Sequence, residues 1–357
     1  MSAERAVRDS VPASMGPDAD AASISRNGDG PDRPISIGER LRSPQTIISF
    51  LVAFALIFFI FRQLDINFGD VWLQIRHAQP AYLFLAFAIY YGAFLLRSTR
   101  WRLLLANAGI SKGAGFNVPG TWGLSEIYVL SWFANCVVPA KLGDAYRGYL
   151  LKKNAGPSFS RTLGTILAER LLDIIALVTL MVVSGLFVFH GSVPPSLRWW
   201  FGAGAALVAI GLCGFFALLT MSHRIQYAIP ARFRPYYHRL SEGIVTSFAR
   251  KGFLTVASLT ALIWAMEGAR VYFIARALGV ELSLPASIFI ALLASLLTTF
   301  PLTPAGFGVV EGGTVLALKL FGISASGATA VALIDRGIAS YSVVLIGGAL
   351  YFVSKRK

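Results

Sequence analysis

Charged side chains set inside long apolar runs are the residues of this sequence with chemistry to offer. Glu169, Arg170 and Asp173 lie near the start of one run, and Asp335 and Arg336 near the middle of another. Glu267 and Arg270, in a third run, are three apart and so share a helix face. A charge at depth in hydrocarbon is costly and usually faces a bundle interior or a water path. Guanidinium groups so placed can hold phosphate or carboxylate, and acids beside them can tune or release it. The plainer reading is that each acid–arginine combination neutralises itself and fixes helix packing.

Two Pro-Gly interruptions accompany these charges. Pro139-Ala140-Lys141-Leu142-Gly143 and Pro304-Ala305-Gly306-Phe307-Gly308 each fall in the middle of an apolar stretch, 121–153 and 285–322. Proline removes a backbone donor and glycine permits non-helical turns, so a helix must break at both places. Unsatisfied backbone in lipid costs several kcal/mol per group, so a break survives only against protein or a wet cavity. It also frees helix ends whose amides favour anions. Asp144, Arg147 and Glu311 flank the breaks and read as gate or headgroup contacts, with a solvated loop end as the alternative for Asp144 and Arg147. Asn135 precedes the first break and can cap a helix end or donate into a cavity.

Other chemistries find no residues to carry them. Cys136 and Cys213 stand alone in apolar runs, the four histidines are scattered, and HExxH, a P-loop and a nucleophile elbow are absent. Glu311 occupies the place where a dinucleotide fingerprint begun by Gly306 and Gly308 needs a third glycine. No metal or cofactor is expected.

The elements that must position these residues follow from composition. Hydrophobic residues make up 55% of the 357 and charged residues 14%, against about a quarter in a soluble domain. An all-α polytopic membrane protein follows, with about six full spans near 46–61, 81–99, 162–189, 199–221, 252–277 and 323–353. Residues 1–43 lack the apolar content to fold and read as a disordered tail before a membrane domain at 44–357. The net charge of +14 does not point to nucleic acid, because its lysines and arginines gather in links between runs. Links 97–112 (Arg97, Arg100, Arg102, Lys112), 141–161 and 222–251, with both termini, hold most of them. The opposite set holds Arg62, Arg76, Arg198 and Lys319. The basic set is therefore placed in the cytoplasm, with both termini, in a cell membrane. Since links 97–112 and 141–161 are both basic, the stretch between them should be a re-entrant hairpin from the cytoplasm. The second interrupted stretch should be one from outside.

The halves repeat. The Pro-Ala breaks recur at an offset of 165, Glu169-Arg170 as Asp335-Arg336 at 166, and Arg100 and Gly109 as Arg270 and Gly279 at 170. Each unit, about 81–190 and 252–353, reads as a span ending in arginine, a broken-helix hairpin and a span with an acid–arginine pair. The two would be inverted copies, an arrangement many transporters share.

Asn135-x-x-x-Pro139-x-x-x-Gly143-Asp144-x-x-Arg147, Glu169-Arg170-x-x-Asp173 and Pro304-Ala305-Gly306-x-Gly308-x-x-Glu311 resemble the membrane domain of lysylphosphatidylglycerol synthase/flippases and their stand-alone relatives. The likeness covers about 44–357. It implies a lipid flippase-like domain moving an anionic or aminoacylated phospholipid, or a related lipid carrier, between leaflets. Bifunctional relatives add a soluble aminoacyl-transferase domain after the membrane part, and this sequence stops at Lys357. On that reading Arg147, Arg170, Arg270 and Arg336 hold phosphate and the breaks form a moving floor. Expected partners are membrane lipids, a second copy of the chain or a separately encoded lipid-modifying enzyme. The competing readings are a membrane-embedded lipid-modifying enzyme using Asp144, Glu169 or Asp335 for proton transfer, and a secondary transporter of a small anion.

Overall fold

A computed structural model of the chain describes residues 66–138, 142–188, 230, 233–248, 252–298, 303 and 306–357, with single positions within 44–62 and 202–214. The expected tail 1–43, most of the runs 46–61 and 199–221, and Pro139 and Pro304 lie outside the described residues. What is described is helical throughout, joined by turns.

The helices form two sets in matching order. The first holds α1 (Phe68–Arg76), α2 (Pro80–Asn107), α3 (Thr121–Val137), α4 (Gly143–Ala155) and α5 (Phe159–Val188). The second holds α6 (Arg234–Ser247), α7 (Phe253–Ala277), α8 (Leu284–Leu297), α9 (Val309–Leu320), and then α10 (Ala325–Arg336), a π-helical stretch at Gly337–Tyr341 and α11 (Ser342–Val353). Helices α2, α5, α7 and the run Ala325–Val353 are long and apolar enough to cross a membrane, and α8 is a shorter apolar helix. Local chemistry sets the boundaries. Pro80 opens α2 where a missing N–H costs nothing, and Ser283 and Ser324 accept from the amides of Ala286 and Gly327 to cap α8 and α10. Left-handed glycines close matching helices in both sets: Gly109 (φ 72°) with Gly279 (φ 67°), and Gly156 with Gly322 (both φ 78°). The shared turn geometry extends the correspondence beyond the four features visible in sequence, and α1 and α6 extend it further, each leading into the long span of its set.

Contacts between the sets define their relation. From Gln79, the residue ahead of α2, to Arg97 and Arg100 within it, the partners are Ala277, Glu267 and Thr260 of α7. Position rises on one helix as it falls on the other, so these equivalent spans run antiparallel and the repeats are inverted. Helix α3 packs on α11 while its counterpart α8 packs on α5, and α1 packs on α10 while α6 packs on α5. Each repeat thus lends its hairpin and its short helix to the other.

Both hairpins leave and return at one end. Arg100 and Trp101 of α2 reach Asp173 and Thr165 of α5, and Gly109 lies against Arg161. The end of α2 and the start of α5 are therefore neighbours. In the second set Gln74 of α1 donates to the Leu278 carbonyl at 3.1 Å and lies beside Gly327, which brings together the end of α7 and the start of α10. Because α2 and α7 are antiparallel, the two hairpins enter from opposite ends.

One expectation needs correction. Arg97 and Arg100 do not belong to a link: α2 continues to Asn107, and its 28 residues span about 42 Å, so both arginines sit at depth, 5% and 0% exposed. Arg147, counted with the next link, is likewise fully buried in α4. Outward positions such as Phe84, Leu254, Leu345 and Phe352 are exposed and apolar, the inside-out polarity of a protein dissolved in lipid.

Candidate functional site

Between the repeats lies a cavity of about 280 Å³. Four guanidiniums line it, Arg97, Arg170, Arg270 and Arg336, and four carboxylates, Asp144, Asp173, Glu267 and Asp335. Residues around both breaks contribute to the same wall: Asn135, Val138 and Asp144 from the first, Thr298, Thr303 and Gly306 from the second.

The breaks are held by specific contacts. The Gly143 amide donates to Asn135 Oδ1 at 2.8 Å, and Ser131 donates to the Gly143 carbonyl at 2.8 Å. A Cβ on Gly143 would lie 2.1 Å from the backbone carbonyl oxygen of Ser131, so only glycine lets α4 turn back this closely on α3. At the second break Glu311 accepts from the Gly308 amide at 2.7 Å, tying the start of α9 to its own preceding turn. Phe307 stacks on Tyr341 of the π-helical stretch, and Arg336 lies over the Phe307 ring.

The ion pairs follow the same plan twice. An arginine on the first long span meets the acid on the last: Arg100 to Glu169 at 3.2 Å, and Arg270 to Asp335 at 2.9 Å. The arginine beside that acid meets the acid in the first turn after the break: Arg170 to Asp144 at 2.9 Å, and Arg336 to Glu311 at 3.1 Å. Glu169-Arg170 and Asp335-Arg336 therefore do not neutralise themselves. Adjacent residues on a helix point in different directions, and each finds a partner on another element. Residues three apart do pair as their spacing suggests: Glu267 and Arg270 at 2.5 Å, and more loosely Arg170 and Asp173 at 3.6 Å. The axis between the repeats is marked by Arg97 and Glu267, equivalent positions 170 apart that bond each other at 2.5 Å. It is marked again by Arg100 donating to Thr260 at 2.9 Å while Arg270 lies over the ring of the equivalent Tyr90.

Of the residues singled out in the sequence, Asn135, Asp144, Arg170, Asp173, Glu267, Arg270, Asp335 and Arg336 face this cavity. Arg147, Glu169 and Glu311 lie behind it. Arg147 is enclosed between the rings of Trp101 and Tyr128, and Glu169 accepts from Tyr128 and pairs with Arg100 and Arg147. Reasoning from sequence missed Arg97 and the two tryptophans of the wall, Trp132 and Trp264. The 170-residue offset maps Arg97 onto Glu267 and was signal enough to find the former, whereas a tryptophan in an apolar run gives none.

Fold and cavity define a polytopic membrane protein of inverted-repeat build with a charged chamber at its centre. The chain belongs to the family described as the lysylphosphatidylglycerol synthase TM region, which matches residues 46–347. It is 35% identical to the UPF0104 membrane protein MJ1078 of Methanocaldococcus jannaschii over 63% of this chain and 95% of that one. A UPF0104 membrane protein of Methanothermobacter thermautotrophicus is 24% identical over 79% and 88%. The protein named glycosyltransferase AglD of Haloferax volcanii is 26% identical over 80% of this chain and 50% of its own length.

Proposed function

We propose that the protein is a lipid flippase-like transporter, moving a phospholipid or related lipid-carrier headgroup between leaflets by alternating exposure of the central cavity. The observation that carries this reading is that both hairpins, entering from opposite ends, line one chamber with charge from both repeats. A headgroup there exchanges water for fixed guanidinium and carboxylate groups while its acyl chains stay among the exposed apolar residues outside. Alternating access in inverted repeats is a rocking of one repeat against the other around such a site. The protein then lies in the cell membrane with the ends of α2 and α4 and both termini in the cytoplasm, as the placement of lysine and arginine supports.

Reconstitution tests this. Vesicles carrying the purified protein and acyl-chain-labelled phospholipid should lose protection of inner-leaflet label from an impermeant quencher, and Arg336→Ala should abolish that loss while the protein stays folded. Equal rates with and without protein would end the flippase reading. The name of the Haloferax relative, a glycosyltransferase matched over half its length, favours a second one, a membrane-embedded enzyme or a subunit of one. Against it, the four cavity acids each hold a guanidinium, a poor arrangement for proton transfer to substrate. Release of a trapped small anion from the same vesicles, without lipid movement, would favour a solute transporter.

A further inference from the structure

Among the described residues the chamber's charge is balanced. Four guanidiniums face four carboxylates on its wall, and directly behind stand Arg100 and Arg147 with Glu169 and Glu311, two more of each sign. A net-anionic headgroup brought into this enclosure carries an uncompensated charge out of water, which is strongly unfavourable.

The groups left without partners indicate what balances it. Trp264, 7% exposed, and Trp132 have ring N–H groups that are buried and find no acceptor among the described residues. Arg97 spends only Nη2, on Glu267, and Arg270 spends Nε and Nη1, on Asp335 and Glu267. Their remaining guanidinium nitrogens have no hydrogen-bond partner among the described residues. On the acceptor side, the oxygens of Glu267, Asp144 and Asp173 are taken by arginines, whereas Asp335 binds Arg270 through Oδ1 alone. The cavity thus offers several donors for oxygen and one carboxylate oxygen for a donor.

From this we propose that the cavity takes a net-neutral, zwitterionic headgroup: a phosphodiester, held by the indole N–H groups and the spare nitrogens of Arg97 and Arg270, bearing one ammonium that meets Asp335 Oδ2. The assignment rests on the transport reading above and names its substrate class. A headgroup with hydroxyls instead of an ammonium satisfies Asp335 but leaves the charge unbalanced.

The test compares three acyl-labelled lipids in vesicles holding the full-length protein: phosphatidylethanolamine, its N-acetyl derivative, which keeps the phosphate and loses the ammonium, and phosphatidylglycerol. Phosphatidylethanolamine should move about tenfold faster than the other two. Asp335→Asn should lower that ratio about tenfold, and Trp264→Phe should slow all three lipids together without changing it. Thermal unfolding in detergent gives an independent binding readout, with short-chain phosphatidylethanolamine or soluble glycerophosphoethanolamine as the added probe. Stabilisation by the lipid alone supports the headgroup of a membrane lipid, and equal stabilisation by the soluble probe supports the same chemistry in a free solute. Phosphatidylglycerol or the N-acetyl lipid moving as fast as phosphatidylethanolamine overturns the assignment and leaves transport standing. If no lipid moves but phosphatidylethanolamine still stabilises more than phosphatidylglycerol, transport falls and the headgroup assignment stands. Neither movement nor preferential stabilisation overturns both.

Discussion

Arg170 of the first repeat is a third exposed and grips Asp144 with two nitrogens, whereas Arg336 of the second is 5% exposed and meets a Glu311 that is itself 4% exposed. The pairs play the same part in their repeats and stand in different surroundings: Asp144 belongs to the cavity wall, and Glu311 lies outside it. Two further contrasts accompany this one. Arg147 of the first hairpin has no basic counterpart in the second, where Gly312 and Thr314 stand at offsets of 165 and 167, and α5 is a regular α-helix where its counterpart carries the π-helical stretch at Gly337–Tyr341. Duplicated parts have settled into unlike states, one opened toward the chamber and one closed. Two such states in one chain are what an inverted-repeat transporter exchanges as it works.

Breaking the joint between the repeats should have the largest effect. Glu267 holds Arg97 of one repeat and Arg270 of its own, so Glu267→Ala leaves two buried guanidiniums short of a partner. The expected loss is about 3–5 kcal/mol, read as lowered thermal stability in detergent. Adding Arg97→Ala should recover part of it, and no recovery would mean the pair does not couple the repeats.

Arg336→Ala against Arg170→Ala tests the contrast itself. The sealed pair should cost roughly 3 kcal/mol and the opened one about 1 kcal/mol, since solvent screens the latter. Equal losses would mean the two ion pairs do not stand in different surroundings. Glu311→Ala added to Arg336→Ala should restore stability without restoring the lipid movement proposed above.

Helix packing gives a smaller difference. A Cβ on Gly164 of α5 would lie 2.4 Å from the Leu240 carbonyl of α6, whereas the second repeat has Ala330 at the matching position of α10. Gly164→Ala should destabilise by about 1–3 kcal/mol through overpacking, and Ala330→Gly by about 1 kcal/mol through helix propensity. The first value falling to that of the second would show that α6 is not fixed to α5. No loss of stability is expected from single cysteines at Lys152 and Arg234, which should both label from the cytoplasmic face. External labelling of either would reverse the assigned orientation.

Much of the architecture was legible because lipid imposes coarse rules. Long apolar runs, two Pro-Gly breaks and a repeated acid–arginine dipeptide suffice for inverted repeats with hairpins. The partners of the charges were not legible. Glu169-Arg170 suggests an internal pair, yet neighbouring helix positions diverge, and only the fold brings Asp144 to Arg170 and Arg100 to Glu169. Arg97 and Arg100 fall in the link 97–112 because the apolar run is read as ending at about 99, and nothing local marks where a 28-residue helix leaves the bilayer. The kinship of α1 with α6 was hidden for another reason: the two short helices hold the same place in their repeats but share no residue at the 170 offset.

The bond between Arg97 and Glu267 bears on the ancestry of the chain. These are the same position in the two copies, one basic and one acidic. Two identical half-length subunits assembled about this axis would set like charges against each other there, arginine on arginine or glutamate on glutamate, in a buried place where repulsion is poorly screened. The present pair can exist only where the copies are free to differ, as they are once joined in a single polypeptide. It also bars the halves from returning to a homodimeric life, since separated first repeats would meet at two buried arginines.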